Sequence, residues 1–193
     1  MNNFFILKIK NASVICCLLI LSPIISFSEN LVRNAGFEEK GTTNLITGWV
    51  VMPGQANTVK IDDKQLHSGK FSFSISHTNS TNYNGVYQRI AIKTNTMYTV
   101  SVWVKGKDIV LSEKANGVKL YIGKLTGKIT GQMAATDTQK GTFDWKRVKA
   151  SFPSGDQSLI ILRLYLHKGV GSVWFDDVEL TEDTPQSNTA DVK

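Results

Sequence analysis

Arg163, Tyr165 and His167 occupy alternate positions of the run Leu159–His167, and Ile160, Leu162, Leu164 and Leu166 fill the positions between or beside them. Alternation at period two sends the aliphatic set to one face of a strand and the polar set to the other. A packed interior gives no reason for Arg, Tyr and His in succession, so that outer face is a candidate for chemistry. A guanidinium binds oxyanions and hydroxyls, and a phenol or imidazole hydrogen-bonds or carries a proton. The carboxylates are arranged less favourably for catalysis. Asp176 and Asp177 are neighbours, so in a regular strand they point to opposite faces, whereas glycoside hydrolysis needs two carboxylates across one cleft. No Gly-x-Ser-x-Gly elbow, His-Glu-x-x-His pair or phosphate loop occurs.

The elements that must position these groups read as strands. Residues 71–76 alternate apolar and polar at every step. In residues 97–105, Tyr98, Val100, Val102 and Val104 point one way, and Thr99, Ser101, Trp103 and Lys105 the other. Further strands are expected over residues 31–34, 49–52, 57–61, 86–92, 118–123, 146–152 and 172–180. Turn signals such as Pro53-Gly54, Asn84-Gly85 and Asn116-Gly117 separate most of them. Residues 124–142, punctuated by Gly127, Gly131 and Gly141, read as a long loop at a site rim. No segment of helical length has a 3.6-residue apolar period. Roughly ten short strands in one domain make an all-β fold, a single jelly-roll sandwich of two antiparallel sheets.

Residues 1–28 read as a secretory signal. Lys8 and Lys10 give a basic start, residues 12–27 are apolar apart from three serines, and Ser26-Phe27-Ser28 offers small residues to a signal peptidase, with cleavage expected after Ser28. Secretion to the periplasm, cell surface or medium follows, with no membrane span after cleavage. Cys16 and Cys17 are the chain's two cysteines; Ile15 precedes them and the apolar run continues beyond, which argues against lipidation. The cleaved protein would hold no thiol and no disulfide. Residues 181–193 lack an apolar pattern and are expected to form a disordered polar tail. The sandwich would then occupy residues 29–180, with no room for a separate catalytic domain. Net charge is +6, or +4 without Lys8 and Lys10, and no dense Lys/Arg block occurs, so nucleic acid is not an expected partner.

One ordered set of residues goes further. Asn30-Leu31-Val32-Arg33-Asn34-Ala35-Gly36-Phe37-Glu38 is followed by Gly48-Trp49, by His67-Ser68-Gly69-Lys70-Phe71-Ser72-Phe73, and by Val86-Tyr87-Gln88. Residues 98–105, Trp145 and Val173-Trp174-Phe175-Asp176-Asp177-Val178-Glu179-Leu180 complete it. This order resembles the galactose-binding-like β-sandwich carbohydrate-binding modules of families 4, 9 and 22. The resemblance implies a non-catalytic module that binds a poly- or oligosaccharide on the concave face of one sheet. It also implies a structural Ca2+ joining the first and last strand regions, with Glu38 and Asp176 as ligands and a carbonyl near residues 68–70. Hard oxygens of that kind suit calcium. The period-two reading places Asp176 on the face of Trp174, Val178 and Leu180, where a carboxylate needs a partner.

On the matching strands the resemblance assigns ligand contact to Gln88, Trp103, Tyr121, Arg163 and Tyr165, with Tyr87 or Arg89 replacing Gln88 if the register differs. Flat aromatic faces pack on the C–H side of a pyranose and planar polar groups bind its hydroxyls. Two alternatives stand beside this. One is a cell-envelope protein-interaction sandwich without a sugar. The other is a jelly-roll polysaccharide lyase or part of a glycoside hydrolase system, acting on glycosidic bonds; in the lyase Arg163 would bind a uronate and Tyr165 or His167 would move the proton.

Overall fold

The computed structural model describes residues 28–41, 46–53, 58–79 and 83–183. Apart from Ser28, the expected signal lies outside them, as do residues 184–193 of the expected tail. Ten strands follow in order: β1 Val50–Val51, β2 Val59–Asp62, β3 Ser72–His77, β4 Tyr83–Ala91, β5 Met97–Leu111, β6 Gly117–Thr126, β7 Lys128–Ala135, β8 Gly141–Pro153, β9 Leu159–His167 and β10 Gly169–Glu182. They form two antiparallel five-stranded sheets, ordered β1-β4-β9-β6-β7 and β2-β3-β10-β5-β8. No helix of the described residues is long and apolar enough to cross a membrane.

The core is what the alternation dictates. Leu120, Ile122, Ile160, Leu162, Leu164 and Leu166 of the first sheet are fully buried. They face Phe73, Ile75, Tyr98, Val100 and Val102 of the second, which are equally buried. Each such aliphatic side chain removed from water contributes about 2 kcal/mol, so the inward faces decide which way each strand lies.

Four expectations are corrected. Residues 31–34 make no strand. Asn34 takes φ 48° and its side chain ties Glu39 N, Glu39 O and Thr47 O into a loop. Residues 124–142 are mostly strand, since β6 runs to Thr126 and β7 pairs back on it. Thr181 and Glu182 belong to β10, opposite Thr99 and Tyr98, rather than to a tail. Finally, β10 does not keep one parity. Its pairing with β5 shifts between Asp176 and Glu179, and Asp177 there takes φ 46°. Val173 and Phe175 are buried before this bulge, and Val178 and Leu180 after it. Asp176 therefore shares parity with Trp174 alone and points away from the Val178 and Leu180 face.

Candidate functional site

The outer face of the first sheet is built in rows across β4, β9 and β6. Tyr87, Arg163 and Tyr121 are directly opposite one another, and the next row is Gly85, Tyr165 and Lys119. Arg89, Ile161 and Gly123 form the row on the other side. Strand spacing of about 4.8 Å makes the first row a strip about 10 Å wide, comparable to two sugar rings. Gly85 is required by its neighbour: a Cβ there would lie 1.9 Å from Leu164 O. Gly123 leaves room for the Tyr121 ring, whose Cε1 would be 2.7 Å from an added Cβ.

A cavity of about 560 Å3 opens on this face, lined among others by Met52, Tyr87, Arg89, Lys128, Ile129 and Arg163. A second, of about 500 Å3, adjoins it and shares Tyr87 and Arg89, with Leu31, Arg33 and Val50 on its far side. Together they make a groove crossing the β1–β4 edge towards β7. Arg163 Nε is buried and has no hydrogen-bond partner among the described residues, and its guanidinium carbon lies 5.8 Å from the centre of the Tyr121 ring.

An aromatic cluster closes one end. Tyr83 stacks on His167 at 4.1 Å and meets Tyr165 edge-on at 5.1 Å. Tyr83 is 39% exposed, whereas Tyr165 beneath it is 3% exposed. Burial pushes the Tyr165 phenol above its ordinary range, and burial raises that of Tyr121 against the opposing pull of Arg163. Burial, and then Lys168, lowers the pKa of His167, whose Nδ1 accepts the Asn116 N–H. The two side chains that a lyase would use to move a proton thus lie under Tyr83 rather than in the groove.

Of the expected ligand residues, the structure brings Arg163, Tyr121 and Tyr165 together, and Arg163 lines the groove. Tyr165 supports the cluster from below. Gln88 lines the second cavity but is held to the chain there: its Oε1 accepts Arg33 N and its Nε2 donates to Arg33 O, at 3.0 and 2.7 Å, and it is 6% exposed. Its neighbours Tyr87 and Arg89 take the outward places. Trp103 is on the second sheet, opposite Asp176 and Arg147, and so shares no face with Arg163. Its ring stacks on His67 at 3.8 Å, and Trp145 meets His67 edge-on at 5.7 Å. Lys128 and Ile129 were hidden in the presumed loop. The period-two pattern is weak there because Gly131, Ala134 and Ala135 carry little side chain.

Glu38 and Asp176 meet at the loop 67–71. Glu38 Oε1 accepts the N–H groups of Lys70 and Phe71, at 2.8 and 3.0 Å. Asp176 Oδ2 accepts those of His67 and Ser68, at 3.0 and 3.1 Å, and its Oδ1 accepts Asp177 N. Gly69 takes φ 61°, and a Cβ there would fall 2.2 Å from Glu38 Oε1. Asp176 is fully buried, and desolvation, with the nearby Asp177 charge adding to it, pushes its pKa up to about 6 in spite of the Ser68 and His67 N–H groups. Asp177 accepts from His67 Nδ1 at 2.6 Å and from Ser68 Oγ at 2.8 Å. No ion pair reaches Glu38 or Asp176 among the described residues, and no three His, Asp or Glu side chains there converge at metal-binding spacing. A cation at this point would need backbone carbonyls to complete its shell.

A family model described as "Carbohydrate binding domain" (CBM_4_9) matches residues 29–178. No curated protein matches the chain. Among solved structures, TmCBM61 in complex with β-1,4-galactotriose is similar with a TM-score of 0.60 and 20% identity, over 81% of this chain and all of that one. The CBM22-1 xylan-binding domain of Paenibacillus barcinonensis Xyn10C gives 0.59 and 19%, over 82% and 97%. A Bacteroides thetaiotaomicron structure described as "a putative sugar binding protein" gives 0.58 and 16%, over 80% and 100%. At these identities the likeness shows a shared fold.

Proposed function

The chain belongs to the carbohydrate binding domain family, and on that premise we propose that it holds a poly- or oligosaccharide, without cleaving it, in the groove of the first sheet. The row Tyr87–Arg163–Tyr121 carries the reading. It offers two phenol rings for stacking on pyranose C–H faces, and between them a guanidinium for the ring substituents. The adjoining cavities give a path longer than one sugar, as a polymer requires. The galactotriose of the TmCBM61 structure and the xylan of the CBM22-1 domain make β-1,4-galactan and xylan suitable first probes.

Calcium, bound at Glu38 and Asp176, would be structural in this reading. The buried Asp176 carboxylate, with no cationic side chain paired to it among the described residues, is the observation in favour. A bound ion would neutralise two carboxylates and pin the loop 67–71 between the first and last parts of the fold. Export to the periplasm, cell surface or medium rests on residues 1–28. A contact with an envelope protein is favoured by the half-exposed Trp103, His67 and Trp145 on the opposite sheet.

Affinity electrophoresis of the purified protein against a glycan panel tests the assignment. Tyr87→Ala is expected to weaken binding roughly tenfold or more, by the usual worth of one stacking anchor, while Trp103→Ala leaves it unchanged. Loss of binding in Trp103→Ala alone would move the site to the second sheet.

A further inference from the structure

We infer that the polysaccharide is anionic, a glycan carrying carboxylate or sulfate groups. The inference rests on the sugar-binding reading above and concerns the same groove. Its ground is a segregation of charge between the sheets. Strands β1, β4, β6, β7 and β9 contain Arg89, Lys119, Lys124, Lys128 and Arg163 and not one Asp or Glu. Every acidic residue carried on a strand belongs to the second sheet.

The groove repeats this at close range. Arg33, Arg89, Lys128 and Arg163 line its two cavities, and among the described residues no carboxylate does. Among the described residues none of the four forms an ion pair. Arg163 is the most telling, because it is half-buried and its Nε is enclosed without an acceptor. A partly desolvated cation without a counter-charge is unfavourable, and an oxyanion placed against it restores what water supplied.

Hydrogen-bond capacity points the same way. Hydroxyls of a neutral sugar both donate and accept, and a neutral-glycan site needs acceptors as well as donors. Arg and Lys are donors only, and among the described residues the phenols of Tyr83 and Tyr87 are the side chains of the larger cavity that can do either. Such a lining suits a ligand made of acceptors, with uronate carboxylates or sulfate esters spaced along a chain that still offers C–H faces to Tyr87 and Tyr121.

The test compares polymers matched except in charge. Polygalacturonate is set against carboxyl-reduced polygalacturonate, dextran sulfate against dextran, with a DNA duplex as a non-sugar polyanion and β-1,4-galactan and xylan as neutral sugars. Binding to at least one charged glycan about tenfold or more tighter than to its neutral counterpart is expected, and the tighter of the two charged glycans identifies carboxylate or sulfate. Arg163→Gln and the exposed Lys128→Gln should each weaken it several-fold. Lys149→Gln, on β8 of the second sheet, makes the same change in net charge and should not. Lys128→Gln serves alone if Arg163→Gln does not fold.

Equal binding of charged and neutral partners, or binding of neutral galactan or xylan only, overturns the inference and leaves the sugar-binding reading intact. Equal loss in Lys149→Gln, no loss in either groove variant, or a DNA duplex held as tightly as the glycans, also overturns it. Those results reduce the effect to diffuse charge or to a different polymer. A folded protein that binds none of the glycans removes both readings.

Discussion

The two five-stranded sheets present outer faces of different character. On the second, Lys105 pairs with Asp144, Arg147 with Glu179, and Lys93 with Glu182 at its edge, while His67 hydrogen-bonds to Asp177. On the first, the groove cations Arg33, Arg89, Lys128 and Arg163 form no ion pair among the described residues, and Tyr83 and Tyr87 line the groove beside them. Exposure of polar side chains is common to both faces and says little about binding. What separates them is whether the fold itself supplies the partner. Where a carboxylate already lies against a cation the fold supplies the partner, and among the described residues the groove is where it does not.

The comparison can be broken first at the backbone. Gly85→Val would drive a side chain into Leu164 O and push β4 from β9, so it should cost about 3 kcal/mol or more and abolish groove binding together with stability. A thermal-unfolding midpoint near that of the parent protein would mean the two strands tolerate separation.

The next effect concerns the second sheet and pH. Asp176 has a folded pKa of about 6, above its ordinary 3.8, so the folded state holds this proton more tightly than the unfolded chain. In chelator-treated protein its contribution is therefore fully present below about pH 4 and is lost as pH rises towards 6, by at most about 3 kcal/mol. Calcium should oppose that fall, because it favours the ionised carboxylate. Unfolding curves at pH 4, 5, 6 and 7, with chelator and with calcium, read both arms. Asp176→Asn should flatten the chelator arm, and an unchanged slope in that variant would assign the pH dependence elsewhere.

Smaller changes sharpen the contrast. Tyr83→Ala uncovers Tyr165 and His167 and should weaken glycan binding several-fold, with a loss of about 1 kcal/mol in stability from the two ring contacts. Titration with the bound glycan and a thermal melt separate the two losses. Smallest of all, Arg147→Gln breaks an ion pair on a half-exposed face and should change stability by less than about 1 kcal/mol and glycan binding not at all. A large binding loss there would erase the distinction between the faces.

Much of this was legible in the sequence, and the limits have physical causes. Alternation told inward from outward on residues 97–105 and on Leu159–His167, because large aliphatic side chains leave no other choice. The same alternation cannot say which sheet a strand joins. Trp103 and Arg163 both point outward, yet they do so on opposite sides of the sandwich. For Gln88 the uncertainty was one residue of register, settled by its paired hydrogen bonds to Arg33. Parity failed at Asp176 because a bulge, which depends on backbone pairing rather than side-chain type, intervenes before Val178. Strand β7 was missed because small residues leave period two almost silent. Its Lys128 and Ile129 nevertheless complete the groove, and the absence of acids from five strands becomes informative only once pairing shows that they form one sheet.

The way the chain enters and leaves the sandwich bears on how the domain behaves under load. Glu182 N donates to Ser28 Oγ, Leu180 N to Asn30 Oδ1, and Leu31 N to Leu180 O, while Asn30 Nδ2 donates to Val178 O. The first described residues thus run antiparallel to the end of β10, with entry and exit side by side. A pull applied between residues 28 and 183 meets these bonds one after another, as a zipper does, before it stretches either sheet. Leu31 belongs to this junction and, with Arg33, also walls the second cavity, so opening the junction would take one side of the groove with it.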